Sequence, residues 1–215
     1  MWHSGFSEEF LKALITETIH SSPLGPWNIT RHYMYTKLTG LLKRFDGHTK
    51  QCLSISHSDT FARVLGLQSA ALTEANYPEQ NMLKLGFASE TFDFCVSDQV
   101  LEHIEGDPFL AFEESVRVVK RDGFIAHTTC FMNEIHNMPR DLWRFTPDAL
   151  CLLATHCNAR VIEYGGWGNR EVWNYIALGF RWAKVPQNHT HPIYHLAMQN
   201  DESVPIVSWV VAQKA

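Results

Sequence analysis

The chain has 215 residues, of which 45% are hydrophobic and 19% are charged. A chain of this length and composition can bury one sizeable core but is too short for two ordinary enzyme domains. Its formal net charge of -5 argues against a nucleic-acid partner, because binding to a phosphate backbone depends on clustered Lys and Arg. No apolar run approaches the roughly 18 residues of a membrane span, and Met1–Phe10 lacks the pattern of a secretory leader. We expect a cytoplasmic protein with no membrane partner.

Cysteine and histidine are the residue types that raise the question of metal binding. The 5 cysteines include no CxxC pair and lie mostly inside apolar runs, so we expect them to be reduced and buried. The densest histidine group, His189, His191 and His195, would suit zinc, for which imidazole is a common ligand. However, Pro186 and Pro192 break this segment, and no cysteine is close to it. We therefore predict no metal, with a histidine-rich metal-binding protein as a remote alternative.

The amino-terminal part of the chain is expected to be helical. Ser7 precedes acidic residues and a one-sided apolar face, which is typical of a capped helix. The break at residues 23–26 ends this helix, and Asn28 can cap a second one. We predict that residues 1–48 form a helical lid on a larger domain that spans residues 49–215.

From about residue 50 the sequence alternates short apolar runs with helical stretches, which is the pattern of a parallel sheet covered on both faces. Strands are predicted at Cys52–Ser56, Ala70–Glu74, Phe92–Ser97, Phe124–Thr129, Arg160–Tyr164 and Ile206–Ala212. Helices are predicted at Thr60–Gly66, Pro108–Val119, Pro147–Cys157 and Arg170–Trp182. In such an α/β fold, ligands bind outside the carboxyl ends of the strands, so a site is expected among the residues that follow them.

Three segments in the middle of the chain resemble a known family. Leu85–Phe87 with Phe92–His103, which ends in SDQVLEH, is similar to the middle of class I S-adenosylmethionine-dependent methyltransferases of the type 11-like kind. Arg117–Gly123 resembles the RVLKPGG turn before the fifth strand of that family. Ile135–Pro147 contains WRFTP and is similar to a subgroup often thought to act on sugars or other small metabolites. The resemblance implies a Rossmann-like, open, mostly parallel seven-stranded sheet with helices on both faces.

The resemblance also implies the cofactor, S-adenosylmethionine, with S-adenosylhomocysteine as the product. The segment around Leu85 and Phe87 would flank the adenine ring, and Asn81 would hydrogen-bond its edge. The strand that ends in Asp98 and Gln99 places polar groups where they can meet the adenine or the methionine part of the cofactor. These five positions are predicted to bind the cofactor.

The first strand-to-helix turn differs from the glycine-rich turn of that family. A nucleotide-type cofactor approaches this turn so closely that the backbone usually needs glycines with positive φ. Here Ser54 stands for an acid, and Ser56, Ser58 and Thr60 stand for the glycines. The turn can still form, but β-carbons would enter the space of the methionine moiety. Asp59 can supply a displaced charge for the ammonium group of that moiety.

The second strand raises a related question about the ribose. Asn76 stands where the family carries an acid that grips both ribose hydroxyls, and an amide lacks the charge that strengthens those hydrogen bonds. Glu74, two residues earlier and on the same strand face, can substitute if the strand ends sooner. Together the changes in both turns would cost several kcal/mol of cofactor binding if each lost polar contact contributes about 1–3 kcal/mol.

A general base is expected in the polar loop after the fifth strand. Methyl transfer requires two positioned substrates and sometimes the removal of a proton. His136 lies in this loop, and its imidazole is suited to deprotonating a hydroxyl or an amine near neutral pH. The alternative is a loop histidine that is bonded to backbone.

Several residues are candidates for binding the methyl acceptor. Trp143 and Arg144 can form a substrate wall and an anion contact; equally, Trp143 can belong to the core and Arg144 can pair with a nearby aspartate. His103 is either a substrate contact or a structural histidine at a helix end. Tyr33 would face the substrate if the amino-terminal helices cover the pocket.

The sequence leaves three functions open. The first is S-adenosylmethionine-dependent methyl transfer to a small-molecule acceptor such as a sugar, an amine or a hydroxyl metabolite. The second is a catalytically inactive methyltransferase-like protein that binds a ligand or a partner. The third is the histidine-based metal protein, and neither the acceptor nor the oligomeric state follows from the sequence.

Overall fold

A six-stranded sheet forms the centre of the fold. The computed structural model of the chain describes residues 7–215. In order along the sheet the strands are β3-β2-β4-β5-β8-β6. The neighbours among β3, β2, β4 and β5 are parallel, whereas β8 is antiparallel to both of its neighbours, β5 and β6. The strands of the chain are β1 (Leu24–Asn28), β2 (Gln51–Ile55), β3 (Ala71–Ala75), β4 (Phe92–Asp98), β5 (Val119–Cys130), β6 (Ala159–Trp167), β7 (Lys184–Pro186) and β8 (Val207–Lys214).

Helices cover both faces of this sheet. Because strand side chains alternate between faces, Leu53 belongs to the core cluster that includes α4 and α5, while its neighbour Cys52 belongs to the cluster that includes α2, α3, α6 and α7. Pro108 and Pro147 lie in the first turns of α4 and α5, where proline removes no helical hydrogen bond. The helices are α1 (Glu8–His20), α2 (Ile29–Leu38), α3 (Asp59–Val64), α4 (Pro108–Val118), α5 (Pro147–His156), α6 (Arg170–Tyr175) and α7 (Pro192–Met198).

The amino-terminal segment packs into the same core as the sheet. Ile29, Met34 and Leu38 of α2 are fully buried among side chains of the sheet and of α3. β1 pairs antiparallel with β7, which joins this segment to the carboxyl-terminal part of the chain. Ser7 caps α1 as expected, by accepting a hydrogen bond from the backbone N–H of Phe10. Residues 1–6 of the predicted lid lie outside the described residues, and the division at residue 48 stays a prediction.

The α/β class is confirmed, but the number of strands in the predicted sheet is wrong. Each of the strands predicted from apolar runs is present, with ends that differ by a few residues. Between β3 and β4 the chain makes turns around an isolated bridge of Asn81 with Lys84. This segment contains Pro78 and many polar residues, so it lacks the alternating apolar pattern that a strand needs.

The helix predicted at Arg170–Trp182 is shorter than expected. α6 ends at Tyr175 and is followed by a π-helical turn, Ile176–Phe180. Gly179 in this turn has a φ of 96°, which no residue of a regular helix adopts. The pair β1–β7 and the helix α7 were not predicted, because short or proline-bounded segments give little periodic signal. Within residues 7–215 no helix has the length and apolar content needed to cross a membrane.

Asp93 ties three strands together at the amino-terminal edge of the sheet. Its carboxylate accepts hydrogen bonds from the Lys50 and Lys120 ammonium groups, each at 2.9 Å, and from the backbone N–H of Gln51 at 3.0 Å. Burial raises the pKa of Asp93, but these three donors outweigh it and hold the pKa below its usual value. The ionised carboxylate therefore stabilises the folded state.

We expect Asp93→Asn to lower the free energy of unfolding by about 1–2 kcal/mol at pH 7, since both lysines lose an ionic partner. A carboxyl whose pKa is lowered in the folded state contributes stability above its unfolded pKa of about 4 and loses it as the pH falls. Urea unfolding at pH 7 and at pH 3 would therefore show a smaller gap between variant and wild type at the lower pH. An equal gap at both values would contradict this assignment.

Candidate active site

A cavity of about 550 Å³ opens at the carboxyl ends of β2 and β4. This is the edge where open parallel sheets bind ligands, and the volume suits a small molecule. The walls come from the turn after β2, the segment after β3, the end of β4, the loop after β5, α2 and the π-helical turn. The predicted site residues in these walls are Ser56, Asn81, Asp98, Gln99, His103 and His136.

The turn after β2 adopts the left-handed backbone that glycines usually supply. Ser56 and His57 have φ values of 53° and 59°. For residues with a β-carbon this conformation costs about 1–2 kcal/mol each, so neighbouring contacts must hold it. The backbone N–H of Ser56 donates to the Ala75 carbonyl at 3.1 Å, and that of His57 donates to Asn76 Oδ1 at 3.2 Å. The edge strand β3 thus stabilises the strained turn.

Three other predicted residues of this turn lie outside the cavity wall. Ser58 Oγ donates to the Ile55 carbonyl at 2.5 Å and accepts from the backbone N–H of Asp98 at 2.8 Å, so it joins the ends of β2 and β4. Ser54 is buried inside β2, and its Oγ has no hydrogen-bond partner among residues 7–215. Asp59 begins α3 and is exposed. The prediction that they contact cofactor is not supported by their positions.

The predicted ribose-binding residues are engaged with the same turn. Asn76 uses its amide oxygen to hold the backbone of His57. The Glu74 carboxylate lies on the edge strand, 3.9 Å from His57 Nδ1. Neither side chain is part of the cavity wall. Both stand beside the turn and contact it rather than the cavity.

Asp98 is the most heavily bonded side chain of the cavity. Its carboxylate accepts hydrogen bonds from Arg31 Nε at 2.9 Å, from the Tyr35 hydroxyl at 2.7 Å and from Thr128 Oγ1 at 2.5 Å. Burial and the Asp98 carboxylate raise the pKa of Tyr35 far above its usual value, so its hydroxyl stays a donor. Burial lowers the pKa of Arg31, but the Asp98 charge outweighs it. Helix α2, which carries Arg31 and Tyr35, is thereby fixed to the end of β4.

The apolar wall of the cavity differs from the one expected. Leu85 and Phe87 do not line it: Leu85 is buried in the core under α4, and the ring of Phe87 packs edge-on against Phe92 at 5.1 Å. Tyr77 and Met82 form the apolar wall instead. Their place directly after β3 was the only local signal for them.

His136 forms a dyad with a buried aspartate. Its Nδ1 lies 3.0 Å from Asp141 Oδ2, and its backbone N–H donates to the same oxygen at 2.9 Å. Asn133 Nδ2 also lies 2.9 Å from Nδ1. An amide nitrogen can only donate, and Asn133 Oδ1 already accepts from Arg181, so Asn133 requires a lone pair on Nδ1, whereas the Asp141 carboxylate favours a proton there. Nε2 of His136 is free to act as a base in the form that is paired with Asp141.

Asp141 is held in its charged form by Arg144. Two guanidinium nitrogens of Arg144 donate to the two carboxylate oxygens, and the Asp141 side chain is only 1% exposed. Arg144 therefore holds the pKa of Asp141 well below its usual range, although burial acts in the opposite direction. Of the two predicted roles for Arg144, pairing with an aspartate is the one observed. An acceptor anion would have to compete with this pair.

The remaining predicted acceptor residues are spread around the site. The ring of His103 packs edge-on against His136 at 5.0 Å, and its Nδ1 lies 2.5 Å from the Arg140 carbonyl. Trp143 stacks on Phe145 and donates its indole N–H to the Ile104 carbonyl, so it supports the loop without lining the cavity. Tyr33 stacks on Trp167, away from the cavity wall.

Of the histidine group His189, His191 and His195, His191 has a structural role. His191 caps α7 by accepting from the backbone N–H of Ile193, and its other ring nitrogen lies 2.8 Å from the Thr18 carbonyl. Within residues 7–215 the groups with metal-ligand spacing both contain His136, one with His103 and Asp141 and one with Glu102 and Cys130. In the first group the Asp141 oxygens are already bonded to Arg144 and His136.

Two arginines of the cavity wall, Arg31 and Arg181, were not singled out in the sequence. Arg31 lies one helical turn before Tyr35, so the pair shares the face of α2 that meets Asp98. Arg181 follows the π-helical turn and lies beside Trp182, which is 69% exposed at the rim. Of these two arginines, only Arg31 could have been indicated by the sequence, through its spacing from Tyr35 on one helix.

A family model described as a methyltransferase domain matches residues 38–127. No curated protein sequence matches the chain. Among solved structures, the [4+2]-cyclase SpnF is 14% identical with a TM-score of 0.53, and the match covers 97% of each chain. A candidate methyltransferase in complex with the Haloferax volcanii Trm112 methyltransferase activator is 12% identical with a TM-score of 0.52, covering 86% of this chain and 93% of that one. At these identities the likeness concerns the fold.

We expect Ser56→Gly to raise the free energy of unfolding by about 0.5–1 kcal/mol, because glycine relieves the left-handed strain and only partly loses this gain to unfolded-chain entropy. Ser58→Gly is the matched control, since Ser58 has a φ of -88° and its hydroxyl joins β2 to β4. This control is expected to lower stability. Chemical denaturation of both variants measures the difference, and equal destabilisation by the two would refute strain at Ser56.

Proposed function

We propose that this chain is a class I S-adenosylmethionine-dependent methyltransferase that transfers a methyl group to a hydroxyl or amine of a small-molecule acceptor. S-adenosylmethionine is the cofactor of the family, and S-adenosylhomocysteine is the product. The observation that carries the proposal is the cavity at the ends of β2 and β4, which has polar side chains and a histidine–aspartate dyad in its wall. One cavity thus offers both a cofactor side and a base.

The cofactor side has polar groups that are available to a ligand. Gln99, whose φ is 61°, lines the cavity at the end of β4, and its Oε1 is buried without a hydrogen-bond partner among residues 7–215. An unpaired buried acceptor is costly unless a donor reaches it, and the ammonium and adenine amino groups of the cofactor are such donors. Ser56 and Asn81 add further polar atoms, and Tyr77 and Met82 offer the apolar surface that an adenine ring requires. These residues fit the cofactor.

The bound cofactor supplies a methyl group on a positively charged sulfonium. The chain then has to place the acceptor in line with that methyl group and to exclude water. His136 Nε2 takes the proton that the acceptor oxygen or nitrogen loses as it gains the methyl group. Asp141 orients the imidazole and stabilises its protonated form, while Arg144 keeps Asp141 ionised. The dyad therefore acts as a general base in which Arg144 holds Asp141 in its charged form.

The amino-terminal segment acts as the lid in this proposal. α2 contributes Arg31 to the cavity wall and reaches the end of β4 through Asp98. Residues 1–48 then form the cover of the cavity, and residues 49–215 form the domain that carries the cofactor and the base. Closure over the cavity would exclude water from the sulfonium.

The inactive, ligand-binding alternative has one specific observation in its favour. The carboxylate of Asp98 already accepts three hydrogen bonds from protein donors, so the ammonium group of the cofactor finds a neutralised partner there. Ser56 also carries a β-carbon in the turn where the family has glycine. Both features lower cofactor affinity, and a protein in which they abolish it would bind another ligand in the same cavity.

Methyl transfer is tested by incubating the protein with S-adenosylmethionine and a panel of sugars, amines and hydroxy acids, with release of S-adenosylhomocysteine as the readout. For any acceptor that is turned over, we expect His136→Gln to lower kcat by about 100-fold or more, because the base is lost. Affinity for S-adenosylhomocysteine should stay within about twofold, since His136 acts on the acceptor. Unchanged kcat would remove His136 from the mechanism.

His156→Gln is the matched control for this experiment. His156 lies at the end of α5, 3.7 Å from Glu113, and its side chain is 54% exposed. Its replacement should leave kcat and cofactor affinity at the wild-type values. Tight binding of S-adenosylhomocysteine without turnover of any acceptor in the panel would favour the inactive alternative.

A further inference from the structure

Arg181 is a cation in the cavity wall that has no anionic partner. Within residues 7–215 no carboxylate lies within ion-pair distance of its guanidinium group, whereas Arg31 and Arg144 each bind an aspartate. Its one hydrogen bond from NH1 goes to Asn133 Oδ1. Burial lowers the pKa of Arg181, and the charges of Arg31 and Arg144 act in the same direction, whereas Cys130 and Glu102 act against it. Arg181 is half-buried and pairs with no carboxylate at contact distance, so an anion in the cavity would stabilise its guanidinium group.

The backbone directs this side chain towards the cavity. α6 gives way to the π-helical turn Ile176–Phe180, and Gly179 at φ 96° ends the regular spiral. Arg181 follows directly and lines the cavity together with Trp182, whose ring lies 5.4 Å from the guanidinium. The chain leaves a regular helix at the place where it presents this cation.

Asn133 connects Arg181 to the base. Its Oδ1 accepts from Arg181, and its Nδ2 lies 2.9 Å from His136 Nδ1. The cation therefore stands on the base side of the cavity, within one amide group of the dyad. The two carboxylates that line the cavity are already paired, Asp98 with Arg31 and Glu105 with Arg140. Of the two arginines in the described cavity wall, Arg181 is thus the one without an ion pair.

We propose that Arg181 binds a carboxylate or phosphate group of the methyl acceptor, which makes the acceptor a small anionic molecule. This inference rests on the proposed function and adds the substrate class to it. Arginine presents two parallel N–H donors to such an oxyanion, and the bond is charge-assisted. The hydroxyl or amine that receives the methyl group then lies close to the acidic group, within reach of His136 Nε2. Met138 and Trp182 at the rim contact any apolar remainder of the molecule.

The cofactor itself also carries a carboxylate, which is a second candidate anion for Arg181. Calorimetry separates the two with three probes: inorganic phosphate, S-adenosylhomocysteine, and 5'-methylthioadenosine, which lacks the amino-acid part. Phosphate is titrated into the protein with and without S-adenosylhomocysteine. We expect Arg181→Gln to weaken phosphate binding at least tenfold while the affinities for both nucleosides stay within about twofold.

Two further variants keep this test decisive. Arg181→Lys retains the charge but loses the paired donors, so phosphate affinity should fall by a smaller factor, and this variant replaces Arg181→Gln if the latter does not fold. Arg121→Gln is the matched control, because Arg121 is exposed at the start of β5 and outside the cavity wall. It should bind phosphate as the wild type does.

Three results would overturn the proposal. The first is phosphate affinity that does not change in Arg181→Gln. The second is no binding of phosphate by the wild type. The third is a loss of S-adenosylhomocysteine affinity without a loss for 5'-methylthioadenosine, which would assign Arg181 to the cofactor carboxylate. Failure of the wild type to bind S-adenosylhomocysteine would contradict the proposed function instead, and phosphate binding to the cofactor-free protein would still decide whether Arg181 forms an anion site.

Discussion

The carboxylate of Asp98 is the point on which the geometry of the site depends. It joins Arg31 and Tyr35 of the amino-terminal segment to Thr128 of the sheet, while its backbone N–H is held by Ser58. A buried charge is stable only when its hydrogen-bond partners are all in place, so these contacts form or break together. The same carboxylate lines the cavity. The position of α2 and the binding of any ligand beside Asp98 are therefore energetically coupled.

The turn after β2 shows how the chain compensates for the missing glycines. Ser56 and His57 adopt the left-handed conformation despite their β-carbons, and Asn76 and the backbone of β3 hold them there. The side chains expected to bind cofactor, Ser58 and Asn76, thus stabilise the turn instead. The cavity offers few free charged groups to a cofactor, since Asp98 is already paired with Arg31. Cofactor binding should depend on Gln99, on shape and on the apolar wall.

Much of the fold was predictable because apolar strands that alternate with helices leave a strong periodic pattern. The rule that ligands bind at strand ends also located Ser56, Gln99 and His136 correctly at the cavity. Long-range pairs were not predictable, since Arg31 and Asp98 are 67 residues apart and nothing local marks either as the partner of the other. The position of Leu85 was not predictable, because an apolar residue fits a core and an adenine pocket equally well, and Leu85 is buried in the core.

We propose that this cavity is a working cofactor site despite its altered turn. Isothermal titration of the wild-type protein with S-adenosylhomocysteine tests this most directly. We expect saturable binding with one molecule per chain, and Gln99→Ala, which removes the unpaired acceptor, should weaken this binding. No heat of binding and no thermal stabilisation at millimolar S-adenosylhomocysteine would contradict the proposed function.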